Sequence, residues 1–206
     1  MSGQLFDKYG AILAEDVEVL EACLAVIDRE NFEEKMGPMS RPVRVLEIGM
    51  HDGGTARGIE KWLADVALRL DYTGIDPDDG TTRPRYVPEG GRVIVGDSAE
   101  VFGRVTGTFD LVWVDGCHCF NHVVLDTLHY SHMVRPGGFI CFHDVNPRGQ
   151  GCADKQPHGP DTPEFHLAVV DGLSAIAFPW AGWSLFMEKC PDDVLNCGTR
   201  AYRRTA

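Results

Sequence analysis

Arg44-Val-Leu-Glu-Ile-Gly-Met-His-Asp-Gly-Gly-Thr55 is an apolar strand that runs into a glycine-rich turn and then opens a helix. In an alternating α/β chain, such a turn is where a nucleoside-like ligand is held. The dinucleotide fingerprint G-x-G-x-x-G would need glycine at 49, 51 and 54, yet position 51 is histidine, whose side chain blocks backbone approach to a pyrophosphate. The spacing is instead Glu47-x-Gly49-x-x-x-Gly53, with an acid at the strand end and two glycines that let the backbone approach a ligand. A pyrophosphate cofactor is therefore disfavoured.

Working outward, Ile59, Trp62, Leu63, Val66 and Leu70 form one apolar stripe over 55–70, which reads as an amphipathic helix. A second strand, Tyr72 to Ile75, ends at Asp76, so strand, helix and strand point to a parallel pair. Upstream, residues 4–34 show helical periodicity and read as a leading helix that covers the cofactor site or an oligomer interface. Residues 30–42 are a linker. Downstream, 77–91 hold three prolines and three glycines and read as a loop with no full helix. Strand three is Arg92 to Val95, strand four Phe109 to Val114, and strand five Gly138 to Phe142. A helix over 121–133 is expected to stop at Arg135-Pro-Gly-Gly138 with a sharp turn into strand five. Asp161-Thr-Pro-Glu164 reads as a helix start. The apolar runs Ser174 to Phe178 and Trp183 to Met187 read as an antiparallel hairpin across Pro179-Trp-Ala-Gly182.

The chain of 206 residues suits one domain with its own core. With 19 Lys and Arg against 31 Asp and Glu, its net charge of -12 disfavours nucleic acid and other polyanions as partners. Seven cysteines without a disulfide-scaffold spacing read as reduced thiols in a cytoplasmic protein, and Cys117-x-Cys119 is too tight for the usual C-x-x-C pattern. No apolar run of about 18 residues suggests a membrane span. The expectation is a soluble, untargeted protein.

The motif order Glu47-x-Gly49-x-x-x-Gly53, Asp76, Gly96-Asp-Ser98, Val114-Asp-Gly-Cys-His118, Arg135-Pro-Gly-Gly138 and Phe142-His-Asp-Val145 resembles the class I S-adenosylmethionine (SAM)-dependent methyltransferases. Within them it is similar to the small-molecule O-methyltransferases that include macrocin O-methyltransferase and cephalosporin-hydroxylase-like proteins. The resemblance covers residues 43–189 as the catalytic core. It implies a doubly wound, Rossmann-like, mostly parallel seven-stranded sheet with a C-terminal antiparallel hairpin.

It also implies SAM as cofactor. Glu47 would reach the methionine ammonium directly or through water, Gly49 and Gly53 would let the backbone approach, and the helix opening at Thr55 offers unpaired N–H groups. Asp76 would accept from both ribose hydroxyls. Asp97 and Ser98 would meet the adenine amino group. A cap or turn role is the lesser alternative for each acid, and His51 and Asp52 read as a loop pair or as ligand contacts.

At the reacting end, Asp115 and His143-Asp144 follow strands four and five and should converge. The resemblance implies a divalent cation there, Mg or Mn, held by Asp115, His143 and Asp144. The family's acid pair is replaced by histidine at 143, so either the ion is softer than Mg or His143 stands behind the ligands. His118 is the candidate general base, beside Asp115. Cys117 stands where some sugar methyltransferases carry a catalytic acid. His122, His129 and His132 read as surface or packing residues, and Cys119 and Cys141 as small core residues. The loop 146–163 reads as a lid with Arg148, Lys155 and His158 as acceptor contacts, or as an insertion. The functional expectation is methyl transfer to a hydroxyl of a small molecule, a sugar or natural product. A metal-independent methyltransferase and a catalytically silent SAM-binding protein are the alternatives.

Overall fold

The computed structural model describes residues 14–34, 41–82, 84–145, 168–190 and 198–205. Its elements are α1 (Ala14–Glu34), β1 (Val43–Ile48), α2 (Gly54–Asp65), β2 (Leu70–Asp76), β3 (Arg92–Val95), α3 (Ser98–Val101), β4 (Phe109–Val114), α4 (Phe120–Tyr130), β5 (Val134–His143), α5 (Ala168–Ala175), β6 (Trp183–Lys189) and β7 (Thr199–Arg204). They build one seven-stranded sheet in the order β3-β2-β1-β4-β5-β7-β6. The first five strands are parallel, and β7 runs antiparallel to both β5 and β6. This is the doubly wound, mostly parallel sheet that the motif order implies.

Strand alternation sorts the central side chains into two cores. Val43, Val45, Leu111, Trp113, Phe139 and Cys141 face Leu20, Leu24 and Ile27 of α1 and Ile59 and Leu63 of α2. Leu46, Ile48, Val112, Val114, Ile140 and Phe142 face Val123 and Tyr130 of α4 and Val169 and Leu173 of α5. Every residue of β4 is buried, as expected of a central parallel strand covered on both faces. No described helix is long and apolar enough to cross a membrane.

Three boundaries differ from the sequence reading. The helix after β1 ends at Asp65, and Leu70 begins β2. Ala67 adopts φ 58, while Ala67 and Leu68 donate to the carbonyls of Ala64 and Leu63. That is a Schellman end with alanine at the position usually held by glycine, so the usual stop signal is missing. The same device recurs at Ala177 (φ 52), where Ala177 and Phe178 donate to Ser174 and Leu173. The run Ser174 to Phe178 is therefore a helix end and not a strand, since a short apolar run has no periodicity to separate the two. The partner of β6 is β7, and β7 lies between β5 and β6, past residue 189. Third, β5 begins at Val134, so Arg135-Pro-Gly-Gly138 lies within it. A register shift between Phe109 and Leu111, with Gly137 at φ 80, absorbs the proline there. The expected helix start at 161–164 lies outside the described residues.

At the N-terminal ends of β1, β4 and β5, buried Asp110 accepts 2.8 and 2.7 Å hydrogen bonds from the Arg41 guanidinium and one of 2.8 Å from the Arg44 amide. Arg135 Nε donates to it as well, and its Nη2 reaches Glu30 of α1 at 3.1 Å. Burial opposes ionisation, but Arg41 and Arg135 hold the Asp110 carboxyl below its ordinary range. Asp110→Ala takes from Arg41 and Arg135, both partly exposed, their shared carboxylate, at a cost of about 1.5–3 kcal/mol for the lost charged hydrogen bonds. Denaturant unfolding should show a loss of that order.

Candidate active site

The turn after β1 is held against the ends of two other strands. Gly49 N–H donates to the Ile75 carbonyl at 2.9 Å, and Asp115 N–H donates to the Ile48 carbonyl at 2.8 Å. Gly49 has φ 83, and a Cβ there would lie 2.1 Å from the Asp115 carbonyl oxygen. Gly53 caps α2 at φ 79, where a Cβ would lie 2.2 Å from the Tyr86 carbonyl oxygen. Both glycines are thus needed by the backbone's own crossing.

Glu47 is 1% exposed and accepts from the Tyr72 hydroxyl, with Thr55 also buried beside it. Burial pushes its carboxyl up to about 8 against the hydrogen bond from Tyr72. Asp76 accepts through Oδ2 from the amides of Met50 (2.9 Å) and His51 (3.1 Å), and through Oδ1 from Asp78 (2.9 Å). Arg85, whose side chain is buried, brings Nη2 to 3.6 Å from Asp76 and 3.5 Å from Asp78. Asp76 therefore shapes the turn that follows β1. Asp52 caps Gly54 at 3.0 Å, while His51 is exposed.

Asp97 caps α3, its Oδ1 accepting from the Ala99 amide at 2.8 Å, and its Oδ2 lies 2.9 Å from His122 Nε2. Ser98 is buried, and its carbonyl accepts from the Tyr130 hydroxyl at 2.6 Å. Cys141 is buried as expected, but Cys119 is only half-buried. His129 stacks on Phe102, in keeping with a packing role. The loop 146–163, with Arg148, Lys155 and His158, lies outside the described residues.

At the ends of β4 and β5, one ligand atom each of Asp115, His118, His143 and Asp144 lies within 4.8 Å of the others. His118 Nδ1 is 2.6 Å from Asp144 Oδ2, and its Nε2 is 3.3 Å from Asp115 Oδ1. His143 Nδ1 is 2.9 Å from Asp115 Oδ1 and 3.2 Å from Asp144 Oδ2. These His143 contacts are at ion-pair distance but out of line for good hydrogen bonds. Asp144 adopts φ 57, a left-handed conformation that costs energy for a non-glycine residue and often marks functional loops.

Burial alone would favour a neutral His118, but the carboxylates of Asp144 and Asp115 push it up to about 9. His143 is raised for the same reason, with Asp115 the larger influence. Both aspartates are correspondingly lowered against the effect of burial. At neutral pH this cluster alone holds His118 protonated, the opposite of the state a general base requires.

Three residues at this end were not anticipated as site residues: Asp16, Tyr72 and Arg85. Asp16 of α1 is buried, accepts from the Thr199 hydroxyl, and lies 3.1 Å from His143 Nε2. Its signal was present, because an acid at 16 shares the apolar stripe of Leu20, Cys23, Leu24 and Ile27. The leading helix thus reaches the site through Asp16. Tyr72 and Arg85 carry no comparable signal.

Residues 46–145 match the family described as Methyltransferase domain. The chain matches this family over 100 of its 206 residues, a little under half. Its fold is similar to that of the O-methyltransferase TomG from Streptomyces achromogenes, involved in tomaymycin synthesis and solved with SAM (TM-score 0.62, 18% identity, 100% of this chain and 88% of that one). MycE, from the mycinamycin biosynthetic pathway and solved with Mg and SAH, gives TM-score 0.62 at 20% identity, over 98% of this chain and 54% of its own. The SAH-bound methyltransferase PaMTH1 of Podospora anserina gives 0.55 at 18% identity, over 95% and 99%. No curated protein matches the chain in sequence.

Folding raises the pKa of both Glu47 and His118, so the folded state keeps protons that the unfolded chain releases at lower pH. Their contributions are complete below the ordinary carboxyl and imidazole ranges and are lost as pH rises through about 8 and about 9. Without added divalent cations, melting temperature should therefore fall steadily from about pH 6 to pH 9. Differential scanning calorimetry of Glu47→Gln and His118→Gln should each show a flatter profile.

Proposed function

We propose that this chain transfers the methyl group of SAM to a hydroxyl of a small molecule, such as a sugar or natural product, with a divalent cation assisting. The observation that carries this reading is the convergence of Asp115, His118, His143 and Asp144 at the ends of adjacent strands, beside the turn that follows β1. Ligands of open α/β sheets bind at that switch point.

In this reading Glu47 receives the ammonium of SAM, whose positive charge favours the ionised form of a carboxyl that burial otherwise keeps neutral. Gly49 and Gly53 keep the crevice floor free of side chains. Asp76 orders the turn through the Met50 and His51 amides and offers its remaining acceptor capacity to the ribose hydroxyls. Asp97 stands at the next strand end for the adenine amino group.

Transfer forms an O–CH3 bond, breaks the S–CH3 bond and releases the hydroxyl proton. His118 is the group placed to take that proton. Asp115 and Asp144 supply hard oxygen donors that suit Mg or Mn, and a nitrogen donor from His143 would shift the preference towards Mn. When bound, the cation's charge lowers the acceptor hydroxyl's pKa and offsets the carboxylates that otherwise keep His118 protonated. Asp16 lies behind His143 at ion-pair distance, where it would favour one orientation of the ring.

A second reading is metal-independent, with protonated His118 and His143 neutralising the two carboxylates. In that version Asp115 and Asp144 position the acceptor, and chelation leaves turnover intact. Acidic net charge in either version favours a neutral or cationic acceptor over a polyanion. The five described cysteines are all unpaired thiols, which suits a reducing compartment such as the cytoplasm.

Calorimetric titration of SAM into metal-stripped protein, repeated with Mg²⁺ and Mn²⁺, tests the reading; absence of SAM binding in every condition would overturn it. Asp76→Asn should weaken SAM by about 1.5–3 kcal/mol through lost charge-assisted hydrogen bonds. Asp144→Ala should remove metal-stimulated turnover while sparing SAM affinity, and an equal loss of both would point to misfolding.

A further inference from the structure

Between Asp115 and α4 the chain carries a second set of donors that methyl transfer does not use. Cys117 Sγ, Cys119 Sγ and a ring nitrogen of His122 lie within 4.8 Å of one another, all half-buried. Cys119 is the N-cap of α4, and His122 follows three residues later, so helix geometry stacks them on one face. Cys119 Sγ is 2.9 Å from His122 Nδ1. Cys117, two residues before the cap, brings a second sulfur to the same point. The C-x-C-x-x-H spacing lacks the usual C-x-x-C step, and only folding shows that the three donors meet.

Two further observations point to a bound cation. The far nitrogen of His122, Nε2, lies 2.9 Å from Asp97 Oδ2. Histidines that bind metal ions nearly always hand their other ring N–H to a carboxylate or carbonyl, which fixes the tautomer and aims the ligating nitrogen. In addition, Asp126 stands one turn after His122 on α4, is 0% exposed, and has no hydrogen bond of good geometry to either carboxylate oxygen. Ser98 is near enough to influence it, but not aligned to satisfy it. Burial pushes its carboxyl up to about 7, and a positive charge held close by would favour its ionised form.

We propose that Cys117, Cys119 and His122 form a binding site for a thiophilic transition-metal ion of the zinc class, with Asp97 orienting the imidazole. Two thiolates and one imidazole favour such an ion over Mg or Ca, which prefer the oxygen donors of Asp115 and Asp144. The two clusters are thus sorted by ligand softness. On binding, each thiol proton passes to solvent, and His122 coordinates as the neutral ring through Nδ1. With metal–sulfur about 2.3 Å and metal–nitrogen about 2.0–2.1 Å, tetrahedral angles place sulfur and nitrogen roughly 3.5 Å apart. The present 2.9 Å between Cys119 and His122 has only to open by about 0.6 Å. Three protein donors leave a fourth tetrahedral position for water or an incoming ligand. The inference is independent of the methyl-transfer reading.

Cobalt(II) titration of the reduced, metal-stripped full chain under argon tests it, because sulfur ligation produces a thiolate-to-cobalt charge-transfer band that oxygen ligation does not. The band should saturate at a single equivalent and disappear when zinc displaces cobalt. It should be lost in Cys117→Ser and Cys119→Ser and survive in Asp144→Asn. Asp97→Asn should weaken cobalt affinity by about 10- to 100-fold, as removal of an orienting carboxylate does. In the unsubstituted chain, zinc should also slow alkylation of Cys117 and Cys119 by iodoacetamide, followed by peptide mass spectrometry, so the test survives a variant that fails to fold. Absence of the band, or a band indifferent to the Cys117 and Cys119 substitutions, would overturn the site. Rapid alkylation of Cys119, equal with and without zinc, would overturn it too and identify Cys119, His122 and Asp97 as a metal-free thiolate–imidazolium arrangement.

Discussion

The contact between Gly49 and the main chain of Asp115 sets the geometry of this end of the molecule. Two parallel strands leave the sheet in adjacent positions, and their loops cross so closely that no Cβ fits between them. Once that crossing is made, the turn after β1 lies beside the acid that ends β4, and β5 brings His143 and Asp144 to the same place. Asp76 holds the turn from the other side through two amides. The crevice is therefore framed mainly by backbone, and only its donors are side chains.

The two ends of the sheet neutralise their buried acids in different ways. At the N-terminal ends Asp110 is surrounded by Arg41 and Arg135, which cannot lose their protons, so that charge is permanently matched and serves to join α1, β1, β4 and β5. At the C-terminal ends the partners of Asp115 and Asp144 are imidazoles, whose charge can be given up when a ligand or proton changes the local field. The C-terminal ends are thus balanced by groups that can titrate, and the N-terminal ends by arginines that cannot.

Much of the fold was legible because a fully buried parallel strand has a simple signature. β1, β3 and β4 fall at the expected residues, since short apolar runs bounded by Gly, Asp and Pro admit little else. The errors share one cause: the chain ends helices with alanine at Ala67 and Ala177, and threads a proline and two glycines through the start of β5. Helix ends and strand bulges are stabilised by specific backbone hydrogen bonds and by packing, which composition does not report. β7 escaped notice because Thr-Arg-Ala-Tyr-Arg-Arg gains its place from pairing with strands on both sides, and not from its own hydropathy.

By itself the sequence determined the order of the five parallel strands, the crevice after β1, and the acids that end β1, β2, β4 and β5, because each follows from local pattern and the rule that parallel strands present their carboxyl ends together. Tertiary structure alone decided that Asp16 reaches His143 and that Tyr72 and Arg85 attend Glu47 and Asp76. It also decided that His118 lies between two carboxylates and that Cys117, Cys119 and His122 meet beside Asp97. Those contacts join residues far apart in the chain or turn on side-chain direction, and the charge state of a buried group depends on which neighbours folding places within a few ångströms.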